Sequence, residues 1–217
     1  MVHASVRLGD AEVHTLLGPI PADPDLSWLG PAELAAASRM APGRRAEFAF
    51  GRSLLRRAAA QALRRPAREL TPAEDTAGGP PRFVQAPELG TSVSHSGGVA
   101  AVAVSLGTSV GIDVEPVTEP KAATLRRWAS LPSYQGLADL HGTERARRFT
   151  RTWTVQEACA KAVGTGLSGR PWQIPVDGAG DRGAWGTVRW MRLDSRRDLA
   201  LAVATAPAGT NDREYAW

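Results

Sequence analysis

Two acidic residues in the middle of the chain have the spacing of metal ligands. Residues 110–115 (VGIDVE) have the alternating pattern of a β-strand. Successive side chains of a strand point to opposite faces, so the three aliphatic residues share one face, and Asp113 and Glu115 share the other. Two carboxylates on one face repel each other unless a cation lies between them, and such oxygen ligands suit Mg²⁺. The alternative is an edge strand with a solvated acidic face.

A second candidate group lies on a predicted helix, in the segment WTVQEACAK. Side chains four positions apart share a helix face, so Trp153, Glu157 and Lys161 form a single stripe. Lys161 is one of only two lysines in a chain rich in Arg, which favours a specific need for a compact ammonium group. The alternative is a surface Glu–Lys pair beside a packed Trp. Cys159 points away from the stripe and is expected in the core rather than as a nucleophile.

The third segment is SVSHSGG, at residues 92–98. The hydroxyls, the imidazole and the two glycines of this segment can approach a phosphate closely. The alternative is a polar turn that enters a strand. A Ser-His-Asp hydrolase is not favoured, because the adjacent Ser94 and His95 do not by themselves form a nucleophile–base pair. We also expect no nucleophile elbow of the G-x-S-x-G type.

The order of these segments, SVSHSGG, VGIDVE and WTVQEACAKAVGTGL, resembles the signature of the larger, surfactin-synthetase-type phosphopantetheinyl transferases. The resemblance covers about residues 44–167. Upstream, Arg45 and residues 51–56 (GRSLLR) resemble the early coenzyme A-binding helix of that family. Residues 79–82 (GPPR) resemble its Gly-x-Pro loop. Each motif is weak alone, and their order carries the resemblance.

The resemblance implies a site that holds coenzyme A and Mg²⁺. Glu157 would accept the proton of the carrier serine, and Lys161 would balance charge on the leaving diphosphate. The binding residues that the resemblance implies are Asp113, Glu115 and Glu157 as ligands of Mg²⁺, and Arg45, Arg52, Ser94, His95 and Lys161 as contacts to coenzyme A.

Three positions depart from the pattern of the family. Gln156 stands where many relatives carry Lys, which predicts that one cation near the phosphates is missing. Pro80 stands where a basic residue often occurs, and Arg82 is the expected substitute. Ser133 occupies a commonly acidic position, which puts an additional acid there in doubt.

The elements that must position these residues are also predicted by pattern. Helices are expected at residues 31–37, 44–63, 122–128 and 144–163, with an interruption at Gly43. Strands are expected from residue 11, at 99–104, 110–114, 187–193 and 199–205, with a loop at 66–82 and a turn at 194–197. Because a helix followed by a hairpin occurs twice, we predict an α+β fold of two similar halves. These halves would be residues 1–106 and 107–217, related by a pseudo-twofold axis, with the active site between them.

Composition bounds the class of protein. A chain of 217 residues with 43% hydrophobic and 22% charged residues can bury a sizeable core. The net charge of +4 suits a phosphate-rich or acidic partner. The single cysteine excludes an intramolecular disulfide and fits the cytoplasm. We expect neither a signal peptide nor a membrane span.

The function predicted is transfer of phosphopantetheine from coenzyme A to a serine of an acyl, polyketide or peptidyl carrier protein, by a cytoplasmic monomer of secondary metabolism. A first alternative is an inactive family member that binds coenzyme A or a carrier without transfer. A second is a nucleic-acid binder, suggested by a row of arginines on the second helix and its end. That row also fits a solvated face whose stems pack on the core. Its members are Arg52, Arg56, Arg57, Arg64, Arg65 and Arg68.

Overall fold

The computed structural model describes residues 1–73, 79–176, 180–193 and 198–210. Within these residues the chain forms α1 (Pro31–Ala37), α2 (Pro42–Leu63), α3 (Ala122–Trp128) and α4 (Gly142–Ala162). Its strands are β1 (Val2–Leu8), β2 (Ala11–Pro19), β3 (Leu89–Ser96), β4 (Val99–Leu106), β5 (Thr108–Pro116), β6 (Arg182–Trp185), β7 (Val188–Arg192) and β8 (Leu199–Pro207).

The strands form two antiparallel sheets with the orders β1-β2-β4-β3 and β5-β8-β7-β6. Both sheets contain the same path, in which a strand is followed by a long helix and then by two strands, the second of which lies in the middle. The path is β2, α2, β3, β4 in one sheet and β5, α4, β7, β8 in the other, where the additional edge strand β6 lies between α4 and β7 in sequence. The predicted α+β class is therefore confirmed. The division at residues 106 and 107 stays a prediction.

Three clusters of buried side chains place the layers. Leu54 and Leu55 of α2 pack against Val102 and Val104 of β4. The opposite face of β4 belongs to a cluster that also holds aliphatic residues of β5 and β8, so the two sheets face each other. Helix α4 packs on the outer face of the second sheet through a cluster that includes Cys159. Cys159 is thus a core residue, as predicted, and burial raises the pKa of its thiol.

Several predicted boundaries shift for local reasons. The structure has α1 and α3 at the predicted bounds, but α2 begins at Pro42, so the predicted interruption at Gly43 is wrong. Proline is favoured at the start of a helix, and the first N–H groups have no intrahelical partner, so a glycine there breaks no hydrogen bond. Strands β1, β3 and β6 were not predicted. The turn predicted at 194–197 lies outside the described residues.

The arginines of α2 do not form an open basic stripe. Arg56 donates to Oε2 of the buried Glu33 at 2.6 Å, and Arg52 Nε lies 3.2 Å from its Oε1. The guanidinium of Arg57 lies over the ring of Trp28, 4.7 Å from its centroid. These side chains anchor α1 and the preceding segment on α2. Only Arg64, Arg65 and Arg68 of the row are exposed, which weakens the argument for a nucleic-acid binder. In the described part of the chain, no helix has the length and apolar character needed to cross a membrane.

Candidate active site

Helix α4 lies directly on β5 at Gly111. A Cβ atom at this position would lie 2.6 Å from the backbone nitrogen of Ala162 and still closer to the carbonyl oxygen of Ala158. Such distances are well inside van der Waals contact, and backbone atoms cannot move aside as a side chain can. Glycine is therefore required here so that the stripe on α4 can reach the acidic face of β5.

This close approach joins Lys161 to Asp113. The Lys161 Nζ atom donates to Asp113 Oδ1 at 2.7 Å and to the carbonyl oxygen of Ile112 at 3.1 Å. Asp113 is only 3% exposed, and its second oxygen, Oδ2, is buried without a hydrogen-bond partner. Burial raises the pKa of Asp113 in spite of the Lys161 charge. An unbonded carboxylate oxygen in such a place is costly unless a ligand completes it.

Glu157 and Glu115 share this acidic environment. Burial, followed by the charge of Asp113, raises the pKa of Glu157 to about 7, with Lys161 opposing and Glu115 adding to the shift. The pKa of Glu115 is also raised, first by burial and then by Asp113. The three carboxylates therefore interact electrostatically, and the protein does not fully neutralise them. Among the described residues, however, no three His, Cys, Asp or Glu side chains are already gathered as a metal site.

Strand β3 brings Ser94 and His95 to opposite sides. Ser94 is buried, and its hydroxyl donates to Asp113 Oδ1 at 2.8 Å. The half-buried His95 lies beside α2, where Arg44 Nη1 is 2.5 Å from its Nε2 and Glu47 Oε2 is 3.5 Å from its Nδ1. Contact of Ser94 and His95 with coenzyme A stays a prediction.

The predicted arginines lie on α2. Arg45 is half-buried in the first turns of the helix. Arg52, paired with Glu33, lines a cavity of 660 Å³ whose wall also contains Phe48 and residues 79–82, with Pro80 and Arg82 among them. We call it the α1 cavity. Sequence reasoning missed Glu33. Its position three residues after Gly30, which precedes the predicted start of α1, was the only signal, since Glu33 accepts the N–H of Gly30 as the glutamate of a capping box would.

A second opening, of 330 Å³, is lined by residues from both sheets and from α4. We call it the central cleft. Lys161 and Gly164 lie on one wall, and Gly90 and Thr108 on another. Arg82 lines both the central cleft and the α1 cavity. A phosphate-bearing ligand would therefore meet Arg52 and Arg82 in the α1 cavity, and Arg82 and Lys161 in the central cleft.

Comparison with known proteins shows which family the chain resembles. Residues 109–206 match the 4′-phosphopantetheinyl transferase superfamily. A phosphopantetheinyl transferase of Thraustochytrium is 31% identical over 183 residues, which are 70% of this chain and 62% of the relative. A 4′-phosphopantetheinyl transferase of Bacillus subtilis is 30% identical over 132 residues, with coverages of 59% and 54%. One of Bacillus pumilus is 32% identical over 95 residues, with coverages of 44% and 40%.

The chain is similar to the 4′-phosphopantetheinyl transferase superfamily over residues 109–206, which is less than half of its length. It covers less than two thirds of the length of each of these relatives. The matched region, residues 109–206, includes Asp113, Glu115, Glu157 and Lys161. It therefore contains the acidic face of β5 and the stripe of α4, but not the β3 serines.

Gln156, which departs from the pattern of this superfamily, does not face the three carboxylates. Gln156 is completely buried, accepts the hydroxyl of Tyr134 at 2.5 Å, and donates to the carbonyl oxygens of Ile174 at 2.8 Å and Trp172 at 3.3 Å. The prediction of a missing cation at 156 is therefore wrong, because the side chain points into the core. Ser133 belongs to the same loop anchor, since it donates to Ile174 and accepts the N–H of Val176.

Gln156→Lys is accordingly expected to destabilise the protein and not to improve coenzyme A binding. An ammonium group there would be buried without a carboxylate partner, and the loop carbonyls would lose their amide donor. We expect the free energy of unfolding to fall by about 3 kcal/mol. Chemical denaturation measures the loss, and Gln61→Lys on the exposed face of α2 is the control. Wild-type stability with tighter coenzyme A binding would show that the residue turns toward the site.

One expectation from the sequence, the absence of a G-x-S-x-G pattern, is wrong. Residues 107–111 (GTSVG) do match G-x-S-x-G, contrary to expectation. They form the turn between β4 and β5 and the start of β5, with Gly107 in the left-handed region at φ 69°. A nucleophile elbow instead joins a strand to a helix. The pattern therefore gives no support to a serine hydrolase.

Proposed function

We propose that the protein transfers the 4′-phosphopantetheine arm of coenzyme A to a serine of an apo acyl, polyketide or peptidyl carrier protein. The second product would be adenosine 3′,5′-bisphosphate. The similarity of residues 109–206 to the superfamily supports this proposal. The observation that carries it is the contact of Lys161 with Asp113 beside the central cleft, where Asp113 Oδ2 has no partner. That arrangement offers one cation to a diphosphate, and one carboxylate oxygen without a hydrogen-bond partner to its metal ion.

The residues present fit a divalent cation. Asp113, Glu115 and Glu157 are the oxygen ligands that we assign to Mg²⁺, because Asp113 Oδ2 is buried without a hydrogen-bond partner and the charge of Asp113 acts on both glutamates. When bound, Mg²⁺ would neutralise charge on the diphosphate and help to hold it in line.

The side chains of the protein would accept the proton, stabilise the leaving group and bind coenzyme A. The carrier serine Oγ forms a bond to the phosphorus that bears the pantetheine arm, and the bond from that phosphorus to the bridging oxygen breaks. Glu157 takes the serine proton. Lys161 holds positive charge near the departing bisphosphate. Arg45, Arg52, Ser94 and His95 remain the proposed coenzyme A contacts, and we add Arg82 because it lines both openings.

We further propose that the protein is a cytoplasmic monomer of the surfactin-synthetase type and serves polyketide or nonribosomal peptide synthesis. The repeated path of strands and helices supports the type, because one chain supplies both halves. The reduced, buried Cys159 is compatible with the cytoplasm.

Transfer is expected to depend on Mg²⁺. Excess chelator should abolish the formation of holo carrier protein, and added Mg²⁺ should restore it, since the three carboxylates otherwise repel a diphosphate. The rate of carrier modification measures the effect. Asp139→Asn, which removes an exposed carboxylate, is a control that should keep the wild-type requirement for Mg²⁺. Full activity in chelator would contradict the metal assignment.

The Michaelis constant for the carrier is expected to rise with ionic strength. Carrier proteins of these pathways are generally acidic, as the resemblance implies, and this chain has a net charge of +4. Salt screens the attraction that steers opposite charges together. The constant for coenzyme A should change less, because its phosphates would lie in a partly desolvated site. Both constants should be measured from low to high salt at fixed Mg²⁺. A flat carrier constant with a rising coenzyme A constant would contradict charge steering.

A further inference from the structure

Strands β3 and β5 belong to different sheets and are joined by serine hydroxyls. Ser92 Oγ accepts the N–H of Ile112 at 3.0 Å, and Ser94 Oγ accepts the N–H of Val114 at 3.4 Å. Alternation along β3 places Ser96 on the same side as these two serines. The hydroxyls of β3 therefore run along β5 at the level of its acidic residues.

Two of these serines bond to the carboxylates of β5. Ser94 Oγ donates to Asp113 Oδ1 at 2.8 Å, and Ser96 Oγ donates to Glu115 Oε2 at 2.6 Å. Lys161 also donates to Asp113 Oδ1, and Oδ2 is buried without a hydrogen-bond partner. A short bond to one oxygen fixes the rotation of a carboxylate and leaves the other oxygen for a ligand.

We propose that Ser94 and Ser96 are positioning residues that orient Asp113 and Glu115 for the divalent cation. This inference rests on the proposed function, and it differs from the role in phosphate contact that the resemblance implies for Ser94. The serines lie on the first sheet and the carboxylates on the second. The metal site is therefore assembled across the junction of the two sheets, and neither sheet supplies it alone.

The chemistry of the hydroxyl explains why serine fits this position. A hydroxyl can donate to a carboxylate while it accepts a backbone N–H, and Ser94 does both. Alanine would remove both bonds and leave the orientation of the Asp113 carboxylate to its bond with Lys161. Loss of a hydrogen bond that orients a metal ligand typically costs 10- to 100-fold in metal affinity. A hydroxyl is a weaker partner than a charged group, so we expect the lower end of that range.

The test is a titration with Mn²⁺, followed by the electron paramagnetic resonance signal of the free ion, in saturating coenzyme A. Ser94→Ala and Ser96→Ala should each raise the Mn²⁺ dissociation constant roughly 10-fold. Ser92→Ala is the matched control, because it also loses a bond between β3 and β5 but touches no carboxylate. It should lower the melting temperature and leave Mn²⁺ affinity unchanged. Ser96→Thr, which keeps the hydroxyl at a half-buried position, should restore affinity.

The outcomes separate the inference from the proposed function. If the wild-type protein binds Mn²⁺ and both alanine variants bind it equally well, the positioning role is overturned and the metal site stands. If Ser92→Ala weakens binding as much as the other two, the serines act only through the junction of the sheets, and the inference is also overturned. If the wild-type protein binds no Mn²⁺, the metal assignment fails and the inference fails with it.

Discussion

Replacing Glu157 with glutamine is expected to slow phosphopantetheine transfer by at least about 100-fold, the scale of losing one electrostatic stabiliser at a reacting centre. Glutamine has nearly the same shape, so packing around α4 should persist. It cannot accept the serine proton, and it offers a metal ion no negative charge. Both proposed functions of Glu157 are lost in one substitution, while the fold is retained.

Steady-state turnover with saturating coenzyme A and carrier is the measurement. Glu144→Gln, at the exposed start of the same helix, should keep wild-type turnover and so controls for a change of charge on α4. A folded Glu157→Gln protein with near-normal turnover would refute the dual role. Asp113→Ala should reduce turnover at least as much. It is a less clean test, because it also removes the acceptor to which Lys161 and Ser94 donate and leaves an empty space beside them.

Replacing Gly111 with alanine is expected to lower the free energy of unfolding by about 3 kcal/mol, the upper part of the range for overpacking a core. The added methyl group would collide with the backbone of α4 at Ala158 and Ala162. Since no rotamer change relieves a contact with backbone atoms, the helix must move away from β5. That movement would separate Lys161 from Asp113, so turnover should fall as well.

Thermal and chemical denaturation measure the loss of stability. Gly43→Ala is the matched control, since a Cβ there meets nothing within 4 Å and the residue lies in the first turn of α2. It should be neutral or slightly stabilising, because alanine loses less conformational entropy in a helix than glycine does. Equal stabilities for the Gly111 and Gly43 variants would contradict the close packing of α4 on β5.

The parts of the site that follow a single periodicity could be predicted from the sequence. Alternation in VGIDVE placed Asp113 and Glu115 together, away from the buried aliphatic face, and the structure agrees. The four-residue spacing on α4 placed Glu157 beside Lys161, and both interact with Asp113. Each of these inferences needs only one element, whose geometry is set by its own backbone.

The parts that depend on contacts between elements could not be predicted in this way. Gln156 is adjacent to Glu157 in sequence, and helical periodicity alone did not show that it turns to the loop near Ile174. The bond of Ser94 to Asp113 joins strands of different sheets and was not predicted. The pairing of Arg52 with Glu33, which lies on another helix, was not predicted either. Local sequence patterns do not show a hydrogen-bond partner that is distant in sequence.

The most direct test of the central claim is the mass of a carrier protein after reaction. Apo acyl, polyketide and peptidyl carriers should each be incubated with the protein, coenzyme A and Mg²⁺, and then weighed intact by mass spectrometry. We predict that at least one carrier gains the mass of one phosphopantetheine arm, and that a carrier with its acceptor serine changed to alanine gains none. Binding of coenzyme A without a mass gain on any carrier would contradict transfer and identify a family member that only binds.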